Sequence, residues 1–108
     1  MRVERVSMTE LDGAPGAAMG LLSASGTAER VRVDVAVLEA GASLPRHPAG
    51  REQVFYVVSG RGRVAGGDDV AVDIGPGWAA TWEAGEVHTS WADSAMTVLI
   101  VQRAPVPG

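Results

Sequence analysis

The sequence predicts an all-β fold, a small barrel or two-sheet sandwich of short strands with little helix. One run shows it most clearly: in residues 30–39, RVRVDVAVLE, Val31, Val33, Val35 and Val37 alternate with Arg30, Arg32 and Asp34. That period of two is what a strand needs when one face lies in a core and the other in water. Further β-rich runs follow at short spacing: 53–58, 62–65, 70–74, 78–82, 87–91 and 96–101. Between them stand turn formers, Ser59-Gly60-Arg61-Gly62, Gly66-Gly67-Asp68-Asp69, Gly75-Pro76-Gly77 and Glu83-Ala84-Gly85-Glu86. Each segment supplies residues that tolerate positive φ or fix a turn. Short strands punctuated this way indicate an all-β sandwich or barrel.

Taken in chain order, residues 3–6 and 19–23 are weaker strand candidates, and 9–18 has room for one turn of helix. The 30–39 strand places its valines toward the core, and its Arg30, Arg32 and Asp34 face reads as solvated. The strands from 53 to 101 follow, and 103–108 reads as a loose tail, because Pro105 and Pro107 cannot donate to a ladder. With 108 residues the chain is expected to be one domain, its core at about 30–102.

Composition removes several functions. Cysteine is absent, and with it disulfides, thiolate nucleophiles and cysteine metal sites. All nine basic residues are arginine, so lysine Schiff-base chemistry and a P-loop lysine are excluded. A net charge of −4 without an arginine cluster argues against nucleic acid. No apolar run approaches the roughly 18 residues that span a bilayer, and residues 1–16 lack the apolar stretch of a secretion signal. The expectation is a cytoplasmic protein with neither nucleic-acid nor membrane partners.

Only two histidines exist, His47 in GASLPRHPAGREQVFYVVSG and His88 in GWAATWEAGEVHTS. A single histidine on a half-buried strand is more often a hydrogen-bonded structural residue than a metal ligand; the frame around the two changes the odds. Five residues separate Gly41 from His47, and Ala49, Gln53 and Gly60 follow; in the second frame Gly77 precedes Glu83-Ala84-Gly85, then His88 and Ala92. In this spacing the chain resembles the cupin superfamily, whose first motif carries H-x-H, then Glu, between two glycines, and whose second carries P-x-G, then His, then Asn. Ala49 stands where the family has its second histidine and Gln53 where it has the glutamate; the proline and asparagine of the second motif are missing. The resemblance covers about residues 30–102.

It implies a cupin-type barrel, a homodimer, and a small-molecule pocket around His47, Gln53 and His88. The family's ligand set of three histidines and one glutamate is reduced here to two histidines and one glutamine. Imidazole suits Zn, Fe, Ni and Cu, while a carboxamide oxygen is a weaker, neutral ligand. The expected cofactor is a divalent metal (Zn, Fe, Ni, Mn or Cu), held weakly because the anion is gone. Glu52 points to the opposite face from Gln53 by strand parity, and Glu86 lies in a turn. An enzyme of dioxygenase, isomerase or cyclase type is one reading, and a metal-free binding or regulatory module is the other. Trp78, Trp82 and Phe55 are candidate pocket walls, with ordinary core packing as the alternative for the tryptophans, and Trp91 has the opposite parity to His88. Arg51 is a candidate clamp for a substrate carboxylate, with a plain surface arginine as the alternative.

Overall fold

The computed structural model of the chain describes residues 1–10, 12–15, 18–22 and 28–105. Among these residues there is no helix, and the strands are β1 (Arg2–Arg5), β2 (Thr9–Glu10), β3 (Ala18–Met19), β4 (Ala28–Leu38), β5 (Ser43–Pro48), β6 (Glu52–Ser59), β7 (Gly62–Ala65), β8 (Val72–Ile74), β9 (Trp78–Trp82), β10 (Val87–Ala92) and β11 (Met96–Pro105). A five-stranded sheet runs in the order β1-β9-β6-β11-β4, and a four-stranded sheet in the order β5-β10-β7-β8. All pairings are antiparallel. The sheets enclose one core but stay open at their edges, a jelly-roll-like sandwich rather than a strictly closed barrel.

The core draws on both sheets: Phe55, Val57, Ala80, Trp82, Val98 and Ile100 come from the larger, and Val64, Ile74 and Ala92 from the smaller. Alternation along β6 sends Gln53, Phe55 and Val57 inward. Val54 lies on the other face, where Val6, Leu22 and Tyr56 pack around it with Ala79 and Val101.

The alternation in 30–39 marks a strand, but its faces are the reverse of those expected. Val98 of β11 pairs with Ala36, Met96 with Leu38 and Ile100 with Asp34. Directly paired residues share a face, and Met96, Val98 and Ile100 point into the core. Ala36 and Leu38 therefore turn inward with Asp34 and Arg32, and the valines turn outward: Val31, Val33, Val35 and Val37 are 60%, 60%, 65% and 74% exposed.

Four other readings change. Residues 9–18 form no helical turn where described; Thr9–Glu10 pairs with Ala18–Met19 in a two-stranded ribbon. β11 continues through Arg103 and Ala104 to Pro105, each paired with β4, so the tail expected from 103 is ladder as far as Pro105; 106–108 lie outside the described residues. β5 was hidden by Pro45 and Pro48, which sheets tolerate on an edge strand, and β5 is one. Of the 19–23 candidate only Ala18–Met19 is strand, and residue 23 lies outside the described residues.

Candidate functional site

His47 and His88, 41 positions apart in the chain, are direct partners in the β5–β10 ladder. Their ring centroids are 4.3 Å apart with the planes at 60°. His88 is 2% exposed, whereas His47 sits exposed on the edge strand. A β-bulge makes this meeting possible. Ser90 opposes Leu44 while His88 opposes His47, so β5 spends one more residue than β10 over the interval. Leu44 packs on the core, and regular alternation would put His47 on the face opposite to it. The extra residue brings both to the inner face.

Backbone carbonyls hold both rings. Nδ1 of His47 lies 2.6 Å from the Pro45 carbonyl oxygen, and Nδ1 of His88 lies 3.4 Å from that of Glu86, a long contact. A carbonyl only accepts, so each Nδ1 donates to it, and a ring that is neutral then keeps its lone pair on Nε2. Nε2 of His88 is buried and has no hydrogen-bond partner among the described residues; Trp82 Nε1 and Ser90 Oγ are buried and unpartnered among them as well. Burial is the main influence lowering the pKa of His88 below 6.5; the hydrogen bond to Glu86 opposes it, the His47 charge adds to it and the Glu86 charge opposes it. His88 is thus held as neutral imidazole.

Trp82 stacks on His88, centroids 4.4 Å apart and planes at 23°, and Phe55 meets Trp82 edge-on at 5.9 Å. Gln53 is buried and directly opposes Trp82 in the β6–β9 ladder. His47, His88, Trp82 and Phe55 therefore form one run of ring contacts that spans the two sheets, with Gln53 beside Trp82 in the ladder. Because Trp82 and Phe55 fill the interior beside His88, approach is from the rim at His47. A groove of about 560 Å³ lies elsewhere, between Arg5–Ser7, Gly20–Leu22 and Ala79.

Two candidates are not gathered here. Trp78 is exposed at the far end of β9, four residues or about 13 Å of strand from Trp82, beside Arg61 and Pro76. Arg51 lies in the β5–β6 loop, partly buried, without an ion pair among the described residues. Ser90 went unnoticed in the sequence, although its place two residues after His88 was the available signal. Trp91 faces away, with the Arg63 guanidinium 5.3 Å from its ring centroid.

Among the described residues no carboxylate joins the histidines. Glu52 lies 3.9 Å from Arg103, and Glu86 holds the Met1 amino group at 2.6 Å. Burial works to raise the Glu86 pKa, but the hydrogen bond and charge of that amino group, together with backbone donors, outweigh it and hold the pKa below 4.5. Among the described residues no three His, Cys, Asp or Glu side chains cluster as a metal site. The two imidazoles fit an ion that accepts neutral nitrogen ligands. They do not fit one that depends on anionic oxygen.

The sequence matches the family model of the cupin domain over residues 34–102. A cupin superfamily protein from Desulfitobacterium hafniense is similar in structure, with a TM-score of 0.66 at 13% identity over 96% of this chain and 99% of that one. A protein from Thermus thermophilus is 30% identical with a TM-score of 0.63, over 75% of this chain and 78% of that one. Salicylate 1,2-dioxygenase from Pseudoaminobacter salicylatoxidans, in complex with gentisate, has a TM-score of 0.61 at 19% identity; the match takes 67% of this chain and 20% of that one. No curated protein matches the chain.

Proposed function

The chain belongs to the cupin domain family, and from that premise we propose that it binds a small ligand at the rim where His47 and His88 meet, through a weakly held divalent transition metal. The observation that carries this reading is the unpartnered Nε2 of His88, a buried lone pair beside a second imidazole. A buried polar atom without a partner costs about 1–3 kcal/mol, which an occupant would relieve. Both rings fix Nδ1 on a backbone carbonyl, the outer-shell arrangement that orients metal-ligating histidines. His47, His88 and the Gln53 carboxamide would hold the ion, and as a Lewis acid it would polarise a bound oxygen. Trp82 and Phe55 limit the occupant to a few atoms.

The second reading is a metal-free binding module, favoured by Ala49 and Gln53 in place of the family's histidine and glutamate. Calorimetric titration with Zn, Ni, Mn and Fe(II) salts separates the two. The metal reading expects weak uptake of Zn and Ni, loss of it in His47→Ala and in His88→Ala, and affinity at least about tenfold tighter in Ala49→His with Gln53→Glu. A protein that takes up no metal, and gains none from the double substitution, is the metal-free module.

A further inference from the structure

Trp78, expected at the pocket wall, stands instead beside a separate depression that the histidine rim does not use. This depression measures about 240 Å³ and is lined by Arg61, Asp73, Ile74, Gly75, Pro76 and Trp78. That is below the roughly 300–1,000 Å³ of pockets for drug-sized ligands, so it admits only a small molecule. Local turn chemistry fixes one wall. Pro76 and Gly77 are the central residues of a tight turn; Gly77 has φ 84°, and Trp78 donates its backbone N–H to the Gly75 carbonyl at 3.1 Å. The other wall is held as firmly. The Arg61 N–H donates to Ser94 Oγ at 2.9 Å, and the Arg61 carbonyl accepts from the backbone N–H groups of Asp93 and Ser94 at 2.9 and 3.0 Å.

The Arg61 side chain lies across Gly75. A Cβ added to Gly75 would stand 2.7 Å from Nη1, 3.3 Å from Cζ and 3.6 Å from Cγ of Arg61, so any side chain there would displace the guanidinium. Packing on a bare glycine thus restricts the guanidinium before a ligand arrives, which lowers the cost of binding one. Among the described residues Arg61 has no ion pair, and neither has the exposed Asp73. Arg63, directly opposite Asp73 in the β7–β8 ladder, is engaged elsewhere, with Asp93 at 3.2 Å and over the Trp91 ring. Trp78 is 42% exposed, and among the described residues no ring or cation lies on it.

We propose that this depression binds an α-amino acid with an apolar side chain. Arg61 takes the carboxylate through its planar fork, Asp73 takes the ammonium group, and the side chain lies against the Trp78 ring and Pro76. The two opposite charges select this class. A simple anion would be drawn to Arg61 and repelled by Asp73, and a simple cation the reverse. A neutral polyol would meet both, but hydrogen bonds between ionised partners are about twice as strong as neutral ones. A zwitterion satisfies both groups at once and is neutral overall, so the chain's net charge of −4 does not oppose it. Both charged groups are exposed, so each pair contributes little, and the affinity expected is on the order of a millimolar. The site stands apart from the histidine rim and does not depend on a metal there.

The experiment follows the indole N–H of Trp78 by nitrogen-15 NMR on the full chain, the resonance being identified by its loss in Trp78→Phe. L-leucine is added up to about 50 mM, well above the expected dissociation constant. The Trp78 resonance is expected to shift and saturate while that of Trp82 stays in place. N-acetyl-L-leucine lacks the ammonium group, L-leucinamide lacks the carboxylate and glycine lacks the side chain; each is expected to bind at least about tenfold more weakly. Asp73→Asn should abolish the preference for leucine over its N-acetyl form, and Arg61→Gln the preference over the amide. His47→Ala and His88→Ala should bind leucine as the wild type does. A Trp78 resonance that leucine leaves unmoved overturns the proposal. So does N-acetyl-L-leucine or L-leucinamide binding as tightly as leucine, because contact with the ring alone would behave in that way. Loss of the shift in His88→Ala also overturns it, by moving the ligand to the histidine rim. The ligand series on the wild type decides the matter even where a variant fails to fold.

Discussion

His88 gathers most of the site's chemistry in one side chain: a β10 position facing the core, an aromatic stack with Trp82, and a lone pair with no partner. Its depressed pKa makes it a stability element with a definite pH dependence. The unfolded chain takes up the proton near pH 6.5 and the folded chain only below that. Between the two values the unfolded state binds more protons, and stability rises with pH. The contribution is complete above about 6.5 and is lost as pH falls through the folded pKa. The thermal midpoint of the wild type relative to His88→Gln should therefore shrink between pH 7.5 and 5; a gap that is equal at both would remove this role. At this scale much of the site was legible. The spacing of the two glycine frames singled out His47 and His88, and strand parity put Phe55 and Gln53 inward. The bulge in β5 was not legible, because alternation assumes a regular strand and only Pro45, a residue that sheets admit at bulges, marked the exception. Trp78 shared the parity of Trp82, but parity says nothing about how far along a strand the core extends.

Elements show why pattern alone leaves a sheet half-determined. A period of two proves that β4 is a strand, and it cannot say which face is wet when both inner and outer residues find solvent. The inner positions Arg32 and Asp34 lie beyond the packed interior, and the outer valines lie on an edge, so the hydrophobic set was assigned to the wrong side. Turns were read more securely, because their chemistry is local. The motif glycines Gly41, Gly60, Gly77 and Gly85 all have φ between 84° and 85°, a region that costs an L-residue with a side chain roughly 1–3 kcal/mol. At Gly60 an added Cβ would also collide with the carbonyl of Ala95 and the backbone of Met96. Gly60→Ala should accordingly destabilise by more than the backbone cost alone, about 3 kcal/mol or above. Gly85→Ala, at the same φ but with open space around it, should cost only the backbone share. Urea denaturation of the two variants measures the difference, and equal losses would mean that the Ala95 contact relaxes freely.

For the whole molecule, the family match begins at residue 34, yet the fold reaches back to the first residues of the chain. β1 pairs with β9 from Arg2↔Thr81 to Arg5↔Trp78, Val3 packs on the main core, and Val6 packs on Val54, Ala79 and Val101. Val6 also donates its backbone N–H to the Gly77 carbonyl at 2.9 Å. This segment does two things for the sheet: it covers the edge of β9 with a short charged strand, and it packs Val3 on one face and Val6 on the other. β9 in turn carries Trp82, which supports His88 from the opposite sheet. The integrity of the site is therefore tied to a segment outside the motif-bearing region, where the sequence offered only a weak strand signal at 3–6. Val3→Ala should cost about 1–2 kcal/mol, since Val3 is only partly buried, or a fall of roughly 5–10 °C in a domain near this size. Removing residues 1–6 should cost more than that, because it also strips the ladder from β9 and uncovers Val54 and Val101. Its tryptophan emission should shift to the red as Trp82 gains water, and its pH dependence should weaken as the His88 stack loosens. If the shortened chain instead melts within about 2 °C of the intact one, with unchanged emission, then β9 holds its place through β6 alone and the first strand is an appendage.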